Sequence, residues 1–214
     1  MNHLDFLPRI FDLALNSEKR VRKEACWLIS NIAAGNESQI EMIVCNFYYI
    51  GVLKKVLTQD SIEVSSPFQT NLNYFKKVSN EAAWTLCNLG TGASTTQISQ
   101  LVNGYNYLRC LNLIFDNPDS KIRQNGLEAA LNVLQAGENV SGENPYLKNF
   151  VEDGLVELIQ IMAKKDEFAS LANQILEFFK DLDETDYSSS NSSSFHHEAL
   201  FFEKEICPEF VRED

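Results

Sequence analysis

The sequence predicts an all-α protein, a right-handed α-solenoid of about three to four stacked repeats, truncated on its N-terminal side. Three observations carry that expectation. Apolar residues recur at helical spacing, with little of the strict alternation a half-buried strand shows. Two segments nearly duplicate one another, RKEACWLISNIAAGNESQ at Arg22–Gln39 and SNEAAWTLCNLGTGASTTQ at Ser79–Gln97. Helix-stopping residues follow the periodic runs, at Gly35, Gly92, Gly104, Gly137 and Asn117-Pro118.

Along the chain, helices are expected at about residues 4–15, 18–34, 37–45, 48–57, 74–89, 94–103, 105–115, 120–136, 146–152, 154–164 and 167–180. They recur as a short, a medium and a long helix, and Leu4–Leu15 behaves as the second helix of a unit that lacks its first. Trp27 and Trp84, on successive long helices, lie 57 residues apart, and the equivalent position on the next is placed at Leu127, another 43 on. An armadillo-type repeat has a period of ~40–47 residues, so the second spacing fits and the first is too long. The excess is assigned to Val64–Phe75, VSSPFQTNLNYF, read from its Ser, Asn and Pro as a loop before the third helix. After Lys180 come Asp181, Asp183, Glu184 and Asp186, then the low-complexity run Ser188–Ser194. Residues 1–182 are therefore expected to form the solenoid. Residues 183–214 are read as an acidic, Ser-rich disordered tail with a short apolar segment at Leu200, Phe201, Phe202 and Ile206.

Composition narrows the function classes. With 44% hydrophobic and 22% charged residues over 214 positions, the chain can build a sizeable core. A net charge of −12 argues against nucleic acid or an anionic membrane as the main partner and favours a basic one. The five cysteines, Cys26, Cys45, Cys87, Cys110 and Cys207, are scattered with no C-x-x-C pair, as expected of reduced, mostly buried thiols in a cytosolic or nuclear protein. No signal sequence and no run approaching ~18 apolar residues is seen, so no membrane span is expected. The glycosylation-type matches at Asn36, Asn139 and Asn191 are read as chance. His196-His197 has no further ligand at metal spacing, no cofactor is implied, and no nucleophile elbow, phosphate-binding loop or paired-carboxylate motif points to an enzyme.

The duplicated segments carry the candidate site. Glu24, Trp27 and Asn31, and again Glu81, Trp84 and Asn88, fall within an arc of roughly 60° on one helix face at 100° per residue. The apolar stripe of the first copy, read as Val21, Ala25, Leu28 and Ile32, is centred roughly 90° or more from that arc. Each helix thus has a packing face and a neighbouring face that presents an indole and a carboxamide. A carboxamide holds both a donor and an acceptor, so it can pair with the N–H and C=O of one residue of an extended peptide. An indole wall takes the aliphatic stem of Lys or Arg, and the cation over its face contributes about 0.5–2 kcal/mol. Glu24 and Glu81 would pair with the charged head. Bland alternatives stand beside this reading: the indoles as core, the Asn residues satisfying neighbouring helices, and Glu24 paired locally with Arg20 or Lys23.

At Glu24–Asn36 the run EACWLISNIAAGN, with Gln39-Ile40, EAAWTLCN at Glu81–Asn88 and LEAALN at Leu127–Asn132, resembles the armadillo repeats of importin-α (karyopherin-α), the adaptor for proteins that carry nuclear localisation signals. The resemblance covers about 180 residues, to near Phe178-Phe179, and its repeat order is similar to the family's C-terminal portion. It implies an inner groove in which Trp27, Asn31, Trp84 and Asn88, with Glu24, Glu81 and Ser30 beside them, form the smaller of two sites for basic signal peptides. Cys87 stands where the first copy has Ser30. It also implies a life shared between cytoplasm and nucleus, and an export receptor or nuclear-pore protein at the acidic C-terminal end. The basic N-terminal segment with which the family recruits importin-β is not in this sequence, nor are the repeats of the larger site. The helices at Leu4–Leu15 and Ser17–Ala34 are therefore expected to expose an apolar edge. A second reading follows, a truncated armadillo scaffold that joins a larger assembly without binding nuclear signals.

Overall fold

Residues 6–62, 72–138 and 143–180 are described by the computed structural model, and they carry eleven α-helices and no strand. Helix α1 (Leu7–Asn16) holds Pro8 in its first turn, where a fixed φ and a missing N–H cost nothing. Helix α2 (Lys19–Ala33) stops before Gly35, as the sequence leads one to expect. Asn36 then opens α3 (Glu37–Val44) with a reciprocal cap: its Oδ1 accepts from Gln39 N at 3.1 Å, and its own N–H donates to Gln39 Oε1 at 3.0 Å. Asn36 is thus spent on a helix end. Helices α4 (Phe47–Ile62) and α5 (Leu72–Gly92) follow, and Ser94 N repeats the donation, to Gln97 Oε1 at 3.1 Å, as α6 (Thr95–Ser99) begins. α6 runs on into a π-helical turn at Gln100–Gly104. The chain continues through α7 (Tyr107–Phe115), α8 (Ser120–Glu138), α9 (Leu147–Glu152), α10 (Leu155–Ala163) and α11 (Asp166–Glu177). All described residues belong to one compact unit, Met1–Asp181.

The repeats are legible in the packing. α1–α2, α4–α5, α7–α8 and α10–α11 each pack as a pair within a repeat. The third helices then stack in series, α2 on α5, α5 on α8 and α8 on α11, while α1 packs on α4 and α7 on α10. Before α7 and before α10 the chain turns through one left-handed residue, Asn106 (φ 51°) and Gly154 (φ 70°), a conformation that Gly and Asn tolerate best. Small residues set the spacing between third helices. A Cβ on Gly90 would run into the Tyr107 hydroxyl and come within 2.7 Å of the Ala129 Cβ. Tyr107 is fully buried and its hydroxyl donates to Leu86 O at 2.8 Å. Polar side chains tie one repeat to the next: Gln97 Nε2 donates to Glu37 O (3.1 Å) and to the Glu41 carboxylate (2.7 Å), and Tyr105 Oη donates to Val44 O (2.6 Å).

Several expectations need correction. α4 runs to Ile62 and α5 already begins at Leu72, so Leu72–Phe75 are helical, not part of a loop; residues 63–71 lie outside the described residues. Much of the long spacing between the tryptophans is therefore extra helix: α4 has 16 residues where α7 and α10 have 9 each. Gly137 lies within α8 and does not end it. The buried face of α2 is Ala25, Cys26, Ile29 and Ala33, whereas Leu28 is 40% exposed and Val21 and Ile32 are half-buried. Phe6, just before α1, is exposed as Leu28 is. Leu127 is wholly buried and is not the counterpart of the tryptophans. The buried sets Ala82, Ala83, Leu86, Gly90 and Ala129, Ala130, Val133, Gly137 superpose at a spacing of 47 residues, which makes Leu131 the counterpart of Trp84.

Cys26, Cys87 and Cys110 are buried and unbridged, and Cys45 is exposed; Cys207, with the tail 183–214, lies outside the described residues. Burial pushes the Cys87 thiol up to about 12, helped by the charge of Glu128, and pushes Cys110 up to about 11, so neither is a nucleophile at neutral pH. No helix among the described residues is long and apolar enough to cross a membrane.

Candidate peptide-binding face

Packing of α2 against α5 turns the duplicated triplets outward. The inward positions of both helices are small or aliphatic, so the wide, polar side chains take the opposite face by helical geometry. Trp27 is 52% exposed, and Trp84 is half-buried. Neither indole is a core residue, which removes the first bland alternative. The Glu24 side chain is 63% exposed, and the Lys23 ammonium stands 3.8 Å from it. Glu81 is half-buried. Burial pushes its carboxyl up, Lys23 pulls it back and Glu24 adds to the rise, so Lys23 and Glu24 of α2 act directly on Glu81 of α5. Two carboxylates and the Lys23 ammonium therefore meet at the seam between the helices.

The carboxamides differ. Asn31 is exposed and its Nδ2 donates to Trp27 O, one turn back, at 2.9 Å. Asn88 donates across the seam to Ser30 O at 3.1 Å, so it does bond a neighbouring helix, as the second alternative held. That contact uses one N–H. Each carboxamide carries a second N–H and an Oδ1 besides, enough for one peptide residue. Ser30 departs from the expectation. It is buried and its hydroxyl donates to Trp27 O at 2.8 Å, so its side chain does not line the face; its backbone carbonyl serves as the acceptor that positions Asn88.

On α8 the same register places Glu128, Leu131 and Gln135 where α5 has Glu81, Trp84 and Asn88. The indole wall ends there. Beyond it lies a depression of about 320 Å3, walled by Trp84, by Ser120, Lys121, Gln124 and Asn125 at the start of α8, and by Glu167 and Phe168 at the start of α11. Nothing in the sequence spacing marks it, because three helices more than thirty residues apart contribute to it and no motif links them.

Comparison with known proteins agrees with the architecture. No family model matches the chain. A stretch of 32 residues is 59% identical to importin subunit alpha-4 of Arabidopsis thaliana and 53% identical to importin subunit alpha-1a of Oryza sativa subsp. japonica. That stretch is 15% of this chain and spans only 6% of each relative's length. Among solved structures, a designed armadillo repeat protein in complex with the peptide (KR)4 superposes with a TM-score of 0.60 at 24% identity, over 81% of this chain and 64% of that one. Computationally designed armadillo repeat proteins for modular peptide recognition give 0.62 at 20% identity, over 86% and 72%. With its stacked helix pairs and third-helix series, the chain is an armadillo-repeat solenoid.

Proposed function

We propose that this chain is an importin-α-like adaptor module. In this reading it holds basic nuclear localisation peptides in extended form along the α2–α5 face, and serves protein import between cytoplasm and nucleus without catalysing a reaction. One observation carries the reading: Trp27, exposed, and Trp84, half-buried, stand outside the core on successive third helices, each beside a carboxylate and a carboxamide. An indole alone is indifferent to peptide chemistry. An indole next to Glu24 or Glu81 favours a side chain with a long apolar stem and a positive end, which only Lys and Arg have. The acidic balance of the chain assists their approach. A solved protein of similar fold holds a (KR)4 peptide, and the short importin-type matches point the same way. An export receptor or nuclear-pore protein remains a proposed partner of residues 183–214.

The test is titration of a Lys/Arg-rich peptide against the chain and against the double variant Trp27→Ala, Trp84→Ala. Two cation–indole contacts at about 0.5–2 kcal/mol each correspond to a loss of about fivefold or more in affinity. Unchanged affinity overturns the reading. The exposed Phe6 and Leu28 support the scaffold alternative, which expects a co-purifying partner or oligomer whose assembly ignores both tryptophans.

A further inference from the structure

We propose that the depression beside Trp84 reads an acidic side chain, Asp or Glu, adjoining the basic run of the bound peptide, with the Lys121 ammonium as its partner. The inference rests on the reading of the α2–α5 face given above and adds to it a preference in sequence. The depression has room for a side chain, at about 320 Å3, and it opens next to the last indole of the face.

Its charges decide what it takes. Three charged side chains meet there: Lys121 and Glu167 in the wall, and Arg123 behind them. Glu167 is already engaged, since Arg123 Nη2 lies 3.5 Å from its Oε1. The Arg123 side chain is only 16% exposed and its Cζ sits 5.1 Å from the centre of the Phe168 ring, so that pair is fixed and nearly neutral. Lys121 is exposed, and among the described residues no carboxylate stands within ion-pair distance of its ammonium. Asp119, its nearest acid in sequence, accepts the Lys121 backbone N–H at 3.0 Å and is committed to the helix end. Among the residues that wall the depression, Lys121 is therefore the charged side chain with no ion-pair partner among the described residues. At the α2–α5 seam two carboxylates, Glu24 and Glu81, face the peptide side by side, with Lys23 beside them. Ser120, Gln124 and Asn125 add hydroxyl and amide donors suited to a carboxylate, and the Trp84 and Phe168 rings form apolar walls beside them. A peptide with Lys or Arg at the seam and Asp or Glu toward α8 meets both charges with their opposites.

The experiment compares two sets of peptides, in which a KRKR run is flanked on either side, at one, two or three residues' distance, by Asp or by Ala. On the native chain one Asp position binds about threefold to fivefold tighter than its Ala partner at low salt, the size an exposed ion pair contributes. The preference shrinks on raising ionic strength, because the pair is solvent-accessible. In Lys121→Ala the ratio falls to one while the Ala peptide binds as before, and in Lys121→Glu it inverts. Absence of any Asp preference on the native chain, or the same preference in Lys121→Ala, overturns this inference and leaves the groove reading standing. If neither peptide set binds, the groove reading fails and this inference falls with it.

Discussion

Helices α5 and α8 do the same mechanical work and present different faces. Inward, Ala82, Ala83, Leu86 and Gly90 of one answer Ala129, Ala130, Val133 and Gly137 of the other, and both sets are buried. Outward, Glu81, Trp84 and Asn88 give way to Glu128, Leu131 and Gln135. The inward residues are held to small or aliphatic types because neighbouring helices approach closely, and a larger side chain at Gly90 meets Tyr107 and Ala129 at once. The outward residues are exposed or half-buried, and Asn88 among them is tied to Ser30 O. Stacking and recognition are thus written on opposite faces of one helix, so a repeat can lose its indole and carboxamide and still hold its place in the solenoid.

That separation is open to direct attack. Leu86→Ala removes a wholly buried side chain between helices and should lower unfolding stability by about 2–5 kcal/mol, read from denaturant titration. Trp84→Ala, on the opposite face, should cost far less stability while weakening binding of a basic peptide by roughly threefold to thirtyfold. If Trp84→Ala unfolds the chain as Leu86→Ala does, the two faces are not separable. Building the missing face is the converse experiment. Leu131→Trp with Gln135→Asn should extend the indole wall onto α8 and raise affinity for a longer basic peptide about threefold to tenfold. No gain in affinity would mean that α8 does not continue the face. Smaller again is the difference between the two carboxamides. Asn88→Ala breaks a bond between helices and should cost about 1 kcal/mol of stability. Asn31→Ala breaks a bond within its own exposed turn and should cost only a fraction of that. Equal losses would show that Asn88 does not staple the seam.

Much of this arrangement is legible in the sequence, for physical reasons that differ by residue. The helices are legible because each carries apolar residues at helical period and ends at a recognisable cap, as Asn36 and Gln39 do for α3. The outward triplet is legible because it occurs twice: a single Trp27 reads as core, but a Glu, Trp and Asn repeated on one arc does not. The register of α8 is not legible by counting to a large residue, since Leu127 has the size of a Trp counterpart and the burial of a core residue. The run of small residues Ala129-Ala130, matching Ala82-Ala83, is what fixes it. The packing face of α2 misleads in the same way. Ala25, Cys26 and Ala33 turn inward where helices crowd, while the larger Leu28 is exposed and Ile32 half-buried. The depression at Lys121 is invisible in the sequence because its walls come from α5, α8 and α11, and only the folded chain brings them together.

Acidity gives the finest probe of the α5 face, because the seam changes the affinity of Glu81 for its proton. Burial raises the Glu81 carboxyl above its ordinary value of 4.5, and Glu24 adds to the rise against the pull of Lys23. The folded chain therefore holds this proton more tightly than the unfolded one. Its contribution is to lower stability as pH rises through the interval above 4.5, with the cost fully present at neutral pH. A bound Lys or Arg needs the carboxylate, so it opposes the rise and releases the proton. Affinity for a basic peptide without histidine should then be flat near neutrality and decline as pH is lowered into that interval. Glu81→Gln should remove most of the decline, lower the neutral-pH affinity modestly, and leave the chain slightly more stable at pH 7. A Glu81→Gln chain whose peptide affinity still declines over the same interval would show that the cation sits elsewhere and that the carboxylates of the seam are bystanders to binding.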